Sequence, residues 1–331
     1  MKKILFTLVA LSLVAVLALG AVACQESDWA KDSELVVMAP DGAPAMAIAK
    51  LMKEDSAILA HPVDYRLIAA TAVASSMTNG DADIIIAPTN AGMNLSIVTK
   101  GYQLVAVTSW GNLALVTTDE TLLTLKESES AAAFMAQFAE RSITSIGSNQ
   151  VPDKTLKHLL GLVEVENCTV AAASEAPVIQ TGLRQGDIDI ALLGEPAVTA
   201  TAKNVEGVRV LGFLSDVWSE LVGKDFPQAG VFAKRELIAN EPEAVEAFLT
   251  SLKESIAYLN ASKQNAVELG TYMEQTGLSS LKGAIVGLSY QGMHQAFVSA
   301  KDAKDAVVAF ITVLGVQYEE AAHADIFYQG K

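Results

Sequence analysis

The side chains best suited to hold a small molecule occur in short polar clusters, each following an apolar, strand-like run. These are Asp41-Gly42-Ala43-Pro44, Thr71-Ala72, Thr89-Asn90 and Trp110-Gly111-Asn112, and further on Ser148-Asn149-Gln150, Ser174-Glu175 and Glu195-Pro196. Where such a cluster leads from a strand into a helix, the first helical turn presents backbone N–H groups without intrahelical partners and a partial positive charge. In open parallel sheets ligands gather there, beyond the carboxyl ends of the strands. The candidate binding residues are therefore Asp41, Gly42, Ala43, Thr71, Thr89, Asn90, Trp110, Asn112, Ser148, Asn149, Gln150, Glu175 and Glu195, joined by Gln228 at the start of a later strand. Each has a plainer alternative. Asp41, Thr71, Thr89, Ser148 and Ser174 are good helix caps, worth on the order of 1 kcal/mol each. Trp110 offers an apolar face and one donor, which serves a core equally well. Glu195 can accept from a ligand amine or simply favour a helix start.

Bond-making chemistry finds no support. GxGxxG, GxxxxGK[ST], HExxH and GxSxG are all absent. His61, His158, His294 and His323 are scattered without ligand spacing, so no metal site is expected. Cys168 opens a strand-like run, Cys168 to Ala171, with no neighbouring base to lower its pKa, and reads as a small buried hydrophobe. No catalytic residue and no cofactor is expected.

The elements that position these clusters alternate. Strands are expected at Leu35 to Ala39, Val63 to Ile68, Ile84 to Ala87 and Leu104 to Thr108. Helices are expected at Ala43 to Lys53, Thr71 to Asn79 and Thr89 to Lys100. The same rhythm returns: strand Ser142 to Ile146, a helix from Pro152, strand Cys168 to Ala172, helix Glu175 to Gln185, strand Ile188 to Leu193 and strand Val208 to Gly212. Such alternation predicts mostly parallel sheets. After strand Gln228 to Ala233 the chain is nearly all helical. A long helix from Pro242 to Asn260 carries the apolar stripe Val245, Phe248, Leu249, Leu252, Ile256 and Leu259. Helices near Lys263 to Thr276 and Asp302 to Val316 are expected to cover the first lobe.

With 51% hydrophobic and 18% charged residues the chain should fold, and its 331 residues exceed what one core usually serves, so two lobes are expected. The 23 basic and 38 acidic side chains leave a net charge of −15, with no basic run after Lys3. Nucleic acid is thereby excluded as a partner.

The N-terminus reads as an export signal: Lys2 and Lys3, an apolar stretch from Ile4 to Leu19, then Gly20, Ala21, Val22, Ala23 and Cys24. The Cys directly after Ala23 resembles a bacterial lipobox, although Ala21 stands where that pattern usually has Leu. The resemblance implies a signal peptide over 1–23, acylation of Cys24 and a lipidated tether over 24–33. An ordinary signal peptide or a single membrane span is the alternative. Each places residues 25–331 outside the cytoplasm. Cys24 and Cys168 are the only cysteines, so no disulfide framework is expected.

Gly80-Asp81-Ala82-Asp83-Ile84 recurs as Gly186-Asp187-Ile188-Asp189-Ile190, each after an expected helix and before an apolar strand. Gly and Asp favour turns for backbone reasons alone, yet the shared context points to two similar α/β lobes. If so, the echoed acidic turns should lie near the groove that the lobes share.

Met38-Ala39-Pro40-Asp41-Gly42-Ala43-Pro44, the echoed turns, Glu195-Pro196, and Val231-Phe232-Ala233-Lys234-Arg235 before Pro242-Glu243 together resemble the solute-binding proteins of bacterial ABC importers. Within these the chain is most similar to the sulfonate, nitrate and thiamine-pyrimidine binders, from about Leu35 to Asn260. The resemblance implies a periplasmic binding protein type II fold, with two α/β lobes joined by two crossing strands. These would fall near Trp110 to Thr117 and Gln228 to Ala233. Lobe 1 would combine 34–112 with 232–331, and lobe 2 would span 113–231. It further implies hinge closure on a small organic solute, and delivery to an ABC permease and ATPase by a monomer that the Cys24 lipid holds at the membrane. Helix N-termini would suit a sulfonate, whereas Glu195, Glu175 and the net charge would suit a nitrogen heterocycle such as a thiamine precursor, which is the preferred expectation. A solute-sensing lipoprotein, or an enzyme of the same fold, is the alternative.

Overall fold

Short runs of Val, Ile, Leu and Ala form the strands, because a strand covered on both faces by helices needs no polar alternation. The computed structural model describes residues 33–224 and 226–331. It begins with β1 (Leu35–Pro40), α1 (Ala43–Glu54), β2 (Val63–Ile68), α2 (Val73–Asn79), β3 (Ile84–Pro88), α3 (Thr89–Thr99) and β4 (Tyr102–Trp110). There follow β5 (Leu113–Thr117), α4 (Ala131–Ala136), β6 (Ser142–Ile146), α5 (Val151–Leu162), β7 (Thr169–Ala173) and α6 (Ala176–Gln185). Next come β8 (Ile190–Gly194), α7 (Ala197–Asn204), β9 (Arg209–Phe213) and α8 (Leu214–Val222). The chain continues through β10 (Pro227–Lys234), α9 (Arg235–Asn240), α10 (Pro242–Ala261), α11 (Lys263–Gln275) and α12 (Gly283–Ser289). It finishes with β11 (Gln295–Ser299), α13 (Ala300–Val313) and α14 (Glu320–His323).

The strands form two sheets, ordered β2-β1-β3-β10-β4-β11 and β7-β6-β8-β5-β9. Apart from the extra edge strand β11, the two orders match. In each, the second strand of the order pairs in parallel with both neighbours: β1 with β2 and β3, β6 with β7 and β8. In each, the strand arriving from the other sheet is inserted antiparallel: β10 between β3 and β4, β5 between β8 and β9. Four strands of each sheet therefore run one way, and the parallel rhythm of the sequence is interrupted only by the inserted strands and by β11. Ala229, Gly230 and Val231, which the sequence reading grouped with the second lobe, pair with Pro88, Ala87 and Ile86 of β3.

The echoed Gly-Asp-x-Asp segments precede β3 and β8, which hold matching places in the two sheets. Gly80 and Gly186 close α2 and α6 in the left-handed conformation, at φ 72° and 78°. The next residue's N–H returns into the helix, from Asp81 to Ser76 O and from Asp187 to Gly182 O, each at 2.9 Å. The echo is thus a repeated helix C-cap of the Schellman kind. This corrects the expectation that it borders a groove: the turns lie at the amino ends of β3 and β8, opposite the carboxyl ends. Asp83 is a brace there, its carboxylate accepting from Val36 N (2.8 Å) and Lys234 Nζ (2.9 Å).

The stripe of α10 is buried as its spacing predicts, with Val245, Phe248, Leu252 and Leu259 at 0% exposure, against α1 and β11. A second apolar contact joins elements from both halves of the chain. Trp218 of α8 packs on Phe226 and on Phe310 of α13, with ring centroids 5.5 and 5.4 Å away, and Phe226 meets Phe310 at 4.8 Å. Lys154 of α5 adds a bond from Nζ to Leu314 O at 3.0 Å. Removing a fully buried aromatic ring leaves a cavity the surroundings fill only partly. Phe310→Ala is therefore expected to lower stability by about 3–5 kcal/mol in urea denaturation.

In the loop after β5, Asp119 accepts from Thr121 Oγ1 (2.6 Å), Thr121 N (2.8 Å) and Arg141 Nη1 (2.7 Å). These bonds pull its pKa from 3.8 down to about 2, the Thr121 hydroxyl first. A carboxylate held below its unfolded pKa supplies stability above that pKa and loses it as pH falls through the folded value. Asp119→Asn should cost about 1 kcal/mol at neutral pH after solvent screening, measured by thermal denaturation. The difference should close as pH falls from 3.8 through about 2.

Candidate functional site

The carboxyl ends of β1, β3, β6 and β8 open on one cavity of about 880 Å³. From the first sheet its wall takes Pro40 to Pro44, Ala70, Thr71, Val73, Ala74, Pro88, Asn90 and Ala91. From the second it takes Ile146, Asn149 to Pro152, Ala176, Pro177, Gln180, Gly194 to Ala197, Ala200 and Asn204. Asn112, Leu113, Gln228 and Ala229, where the chain passes between the sheets, complete the floor.

Of the residues expected at a binding site, Asp41, Gly42, Ala43, Thr71, Asn90, Asn112, Asn149, Gln150, Glu195 and Gln228 lie on this wall. Thr89, Trp110, Ser148 and Glu175 do not. Thr89 is fully buried at the first position of α3. Trp110 turns to the sheet edge, its indole donating to Ala296 O of β11 at 2.9 Å. Ser148 and Glu175 are exposed. The capping explanation fails in its simple form, since Gly42, Pro88, Gln150, Glu175 and Pro196 make no side-chain cap bond.

The floor is a hydrogen-bonded junction. Asn112 N donates to Gln228 Oε1 (2.9 Å), which ties one passage to the other. Asn112 Nδ2 donates to Glu195 O (3.3 Å), and Glu195 N to Asn112 O (2.9 Å). Asn112 is 4% exposed, and its Oδ1 has no hydrogen-bond partner among the described residues. Gly111 stands beside it at φ 67°, where a Cβ would come within 2.6 Å of Ser215 Cβ; only glycine meets both demands. His294 secures the strand behind. Its Nδ1 lies 3.1 and 3.0 Å from Trp110 O and Gly111 O, so that nitrogen carries the proton, and its ring packs on Phe213 at 5.0 Å.

Glu195 is buried at the start of α7, its carboxylate accepting from Thr199 N (3.0 Å) and Thr199 Oγ1 (2.8 Å). Burial pushes its pKa above the usual carboxylate range, while the Thr199 donors and the nearby His294 pull the other way.

The sequence reading missed one part of the wall: Ser280, Leu281, Lys282 and Ile285 also line the cavity. Asp41 holds this segment, accepting from Ser279 Oγ, Ser280 N (3.2 Å) and Ser280 Oγ (3.2 Å), and also from Gly42 N (2.8 Å). Lys282 pairs with Glu274 at 3.1 Å. The polar break between two helical stretches was visible in the sequence, but nothing there told that it would lie across from β1. Among the described residues no group of His, Cys, Asp and Glu could hold a metal ion, and no helix is long and apolar enough to cross a membrane. Cys24 and the expected signal lie outside the described residues.

No family model and no curated protein matches the sequence. Solved structures do. The chain superposes on an ABC transporter protein from Parabacteroides distasonis with a TM-score of 0.69 and 22% identity, over 88% of this chain and 95% of that one. It superposes on the periplasmic aliphatic sulphonate binding protein SsuA from Escherichia coli with a TM-score of 0.66 and 13% identity, covering 91% and 94%. For the periplasmic nitrate-binding protein NrtA from Synechocystis the values are 0.62 and 11%, covering 88% and 84%. The fold is that of the periplasmic solute-binding proteins of ABC importers, two α/β lobes with a cavity between them.

Because Asp41 tethers the 279–280 segment, Asp41→Ala should free it. Hydrogen exchange at the Ser280 amide is expected to accelerate at least tenfold, on the scale of about 1.4 kcal/mol of lost protection, while β3 amides stay unchanged.

Proposed function

We propose that this protein captures a small organic solute between its two lobes, outside the cytoplasm, and delivers the closed complex to an ABC permease and its ATPase. One observation carries the reading: a single cavity walled by the strand ends of both sheets and floored by both passages between them. A ligand held there gains contacts with both lobes, and only such differential affinity shifts an open–closed equilibrium. The moving units are the two lobes, each built on one sheet, with β10 moving as part of the first. The protein acts as a monomer and performs no catalysis. Solved structures of similar fold, among them sulfonate- and nitrate-binding proteins, support the reading. The preferred solute is a nitrogen heterocycle such as a thiamine precursor.

Purified protein should be screened by thermal shift against pyrimidines, sulfonates, amino acids and inorganic anions. A true solute at 100 times its Kd should stabilise the fold by about 2.7 kcal/mol and leave unaltered in mass. Stabilisation by none of them, or turnover of the ligand, defeats the proposal.

Lipid on Cys24 supplies the anchor in this reading. Cys24→Ser should move the protein from the membrane to the soluble fraction with solute affinity unchanged. A variant that remains in the membrane pellet identifies the N-terminal stretch as a span.

A further inference from the structure

The electrostatic make-up of the cavity assigns the chemical class of the solute, given that the cavity is the solute site as proposed above. Five helices of eight or more residues begin at its wall: α1, α3, α5, α6 and α7. Free helix N-termini attract anions through unpaired N–H groups and the helix dipole. At four of the five a carboxylate of the chain lies in or next to the first turn. At α1, Asp41 accepts from Gly42 N at 2.8 Å. At α5, the buried Asp153 accepts from Asn149 N at 2.9 Å. At α6, Glu175 holds the capping position, with an exposed side chain that makes no cap bond and stays off the wall. At α7, Glu195 accepts from Thr199 N at 3.0 Å. Only α3, which starts at Pro88 and Thr89, has none.

Among these acids Asp153 has a basic partner, Lys157, at 2.8 Å, and Lys157 lies off the cavity wall. The wall contains no arginine and no histidine, and its single lysine, Lys282, is exposed and paired with Glu274. The floor offers acceptors. Asn112 Oδ1 is buried without a partner, and its orientation is set by Nδ2 donating to Glu195 O. Each Glu195 oxygen accepts one bond, from Thr199, and keeps a lone pair. Around this floor the wall is apolar, with Val73, Leu113, Ile146, Val151, Leu281 and Ile285.

We propose that the solute is an apolar body bearing N–H donors, uncharged or cationic, of the amine, amidine or amide class, and that anions are rejected. An anion would lose its water shell and gain carboxylate neighbours in place of cations. A donor-bearing ligand avoids that repulsion and can pair with acceptors at the wall.

Four probes of one shape and different charge test this: benzamidine, benzamide, benzoate and benzenesulfonate, titrated calorimetrically into the full-length protein. Benzamidine and benzamide should bind on the order of tenfold or more tighter than either anion, as expected for one charge-assisted hydrogen bond. Benzoate or benzenesulfonate binding as tightly as the amide, or tighter, overturns the class assignment and leaves solute capture standing. Binding of none of the four by folded protein overturns both. Glu195→Gln should erase the advantage of benzamidine over benzamide. Should that variant fail to fold, Asn90→Lys, at the one N-terminus without a carboxylate, should raise benzoate affinity by a similar factor. An order of affinities unchanged by whichever variant folds overturns the role given to the carboxylates.

Discussion

The molecule depends on one junction, where the chain leaves the first sheet at Gly111 and Asn112 and returns to it at Gln228. Beyond the β4–β10 ladder, whose last pair is Trp110 with Pro227, Asn112 N donates to Gln228 Oε1 and ties the outgoing passage to the incoming one. The pair of bonds between Asn112 and Glu195 then fastens that link to the end of β8. Two strands that belong to opposite sheets are thereby held at a fixed point, and every other surface of the cavity is measured from it. The geometry leaves little room for substitution, since Gly111 combines a left-handed backbone with a close approach to Ser215. His294, seated under the carbonyls of Trp110 and Gly111, keeps the outgoing strand from drifting.

Away from the junction the two halves meet a second time, through Trp218, Phe226 and Phe310. This contact is apolar and has no preferred direction, in contrast to the junction's hydrogen bonds. The two contacts thus join the halves by different means, directional hydrogen bonds at the junction and ring packing away from it. On the open side, Asp41 anchors the 279–280 segment, which brings the C-terminal helices to a cavity otherwise built from strand ends. The acids around the cavity thus have structural work of their own: Asp41 tethers a segment, Asp153 holds the Asn149 amide ahead of α5, and Glu195 accepts from the first turn of α7. The same placement removes the positive potential that bare helix ends would supply.

Much of the architecture was legible in the sequence because its causes are local. The strands at Leu35, Ile84 and Leu104 are short buried apolar runs, and the α10 stripe from Val245 to Leu259 follows helical spacing; both patterns are decided within a few residues. The lining residues Asp41, Asn90, Asn149 and Glu195 were legible for the same reason, since a polar cluster between a strand and a helix falls at a strand's carboxyl end. Trp110 was not. As part of β4 its side chain follows the alternation of the strand, and that alternation sends it to β11 rather than to the cavity. Thr89 fails by the same logic on a helix: its position on the first turn of α3 faces the core. The echoed acidic turns were read with the right symmetry and the wrong location, because a helix C-cap precedes its strand and so lies at the strand's amino end.

By itself, the order of apolar runs, glycine caps and polar clusters determined two repeated α/β units and the side of each sheet on which a ligand would sit. Those features need only backbone preference and burial, which act over short stretches of chain. Tertiary structure alone decided that β10 and β5 insert antiparallel into the opposite sheets and that residues 280–285 reach the cavity. Each of these joins residues far apart in the chain, such as Asp41 with Ser280 and Asn112 with Gln228. Pairings of that kind are selected by the packing of the whole fold, and no local pattern records them.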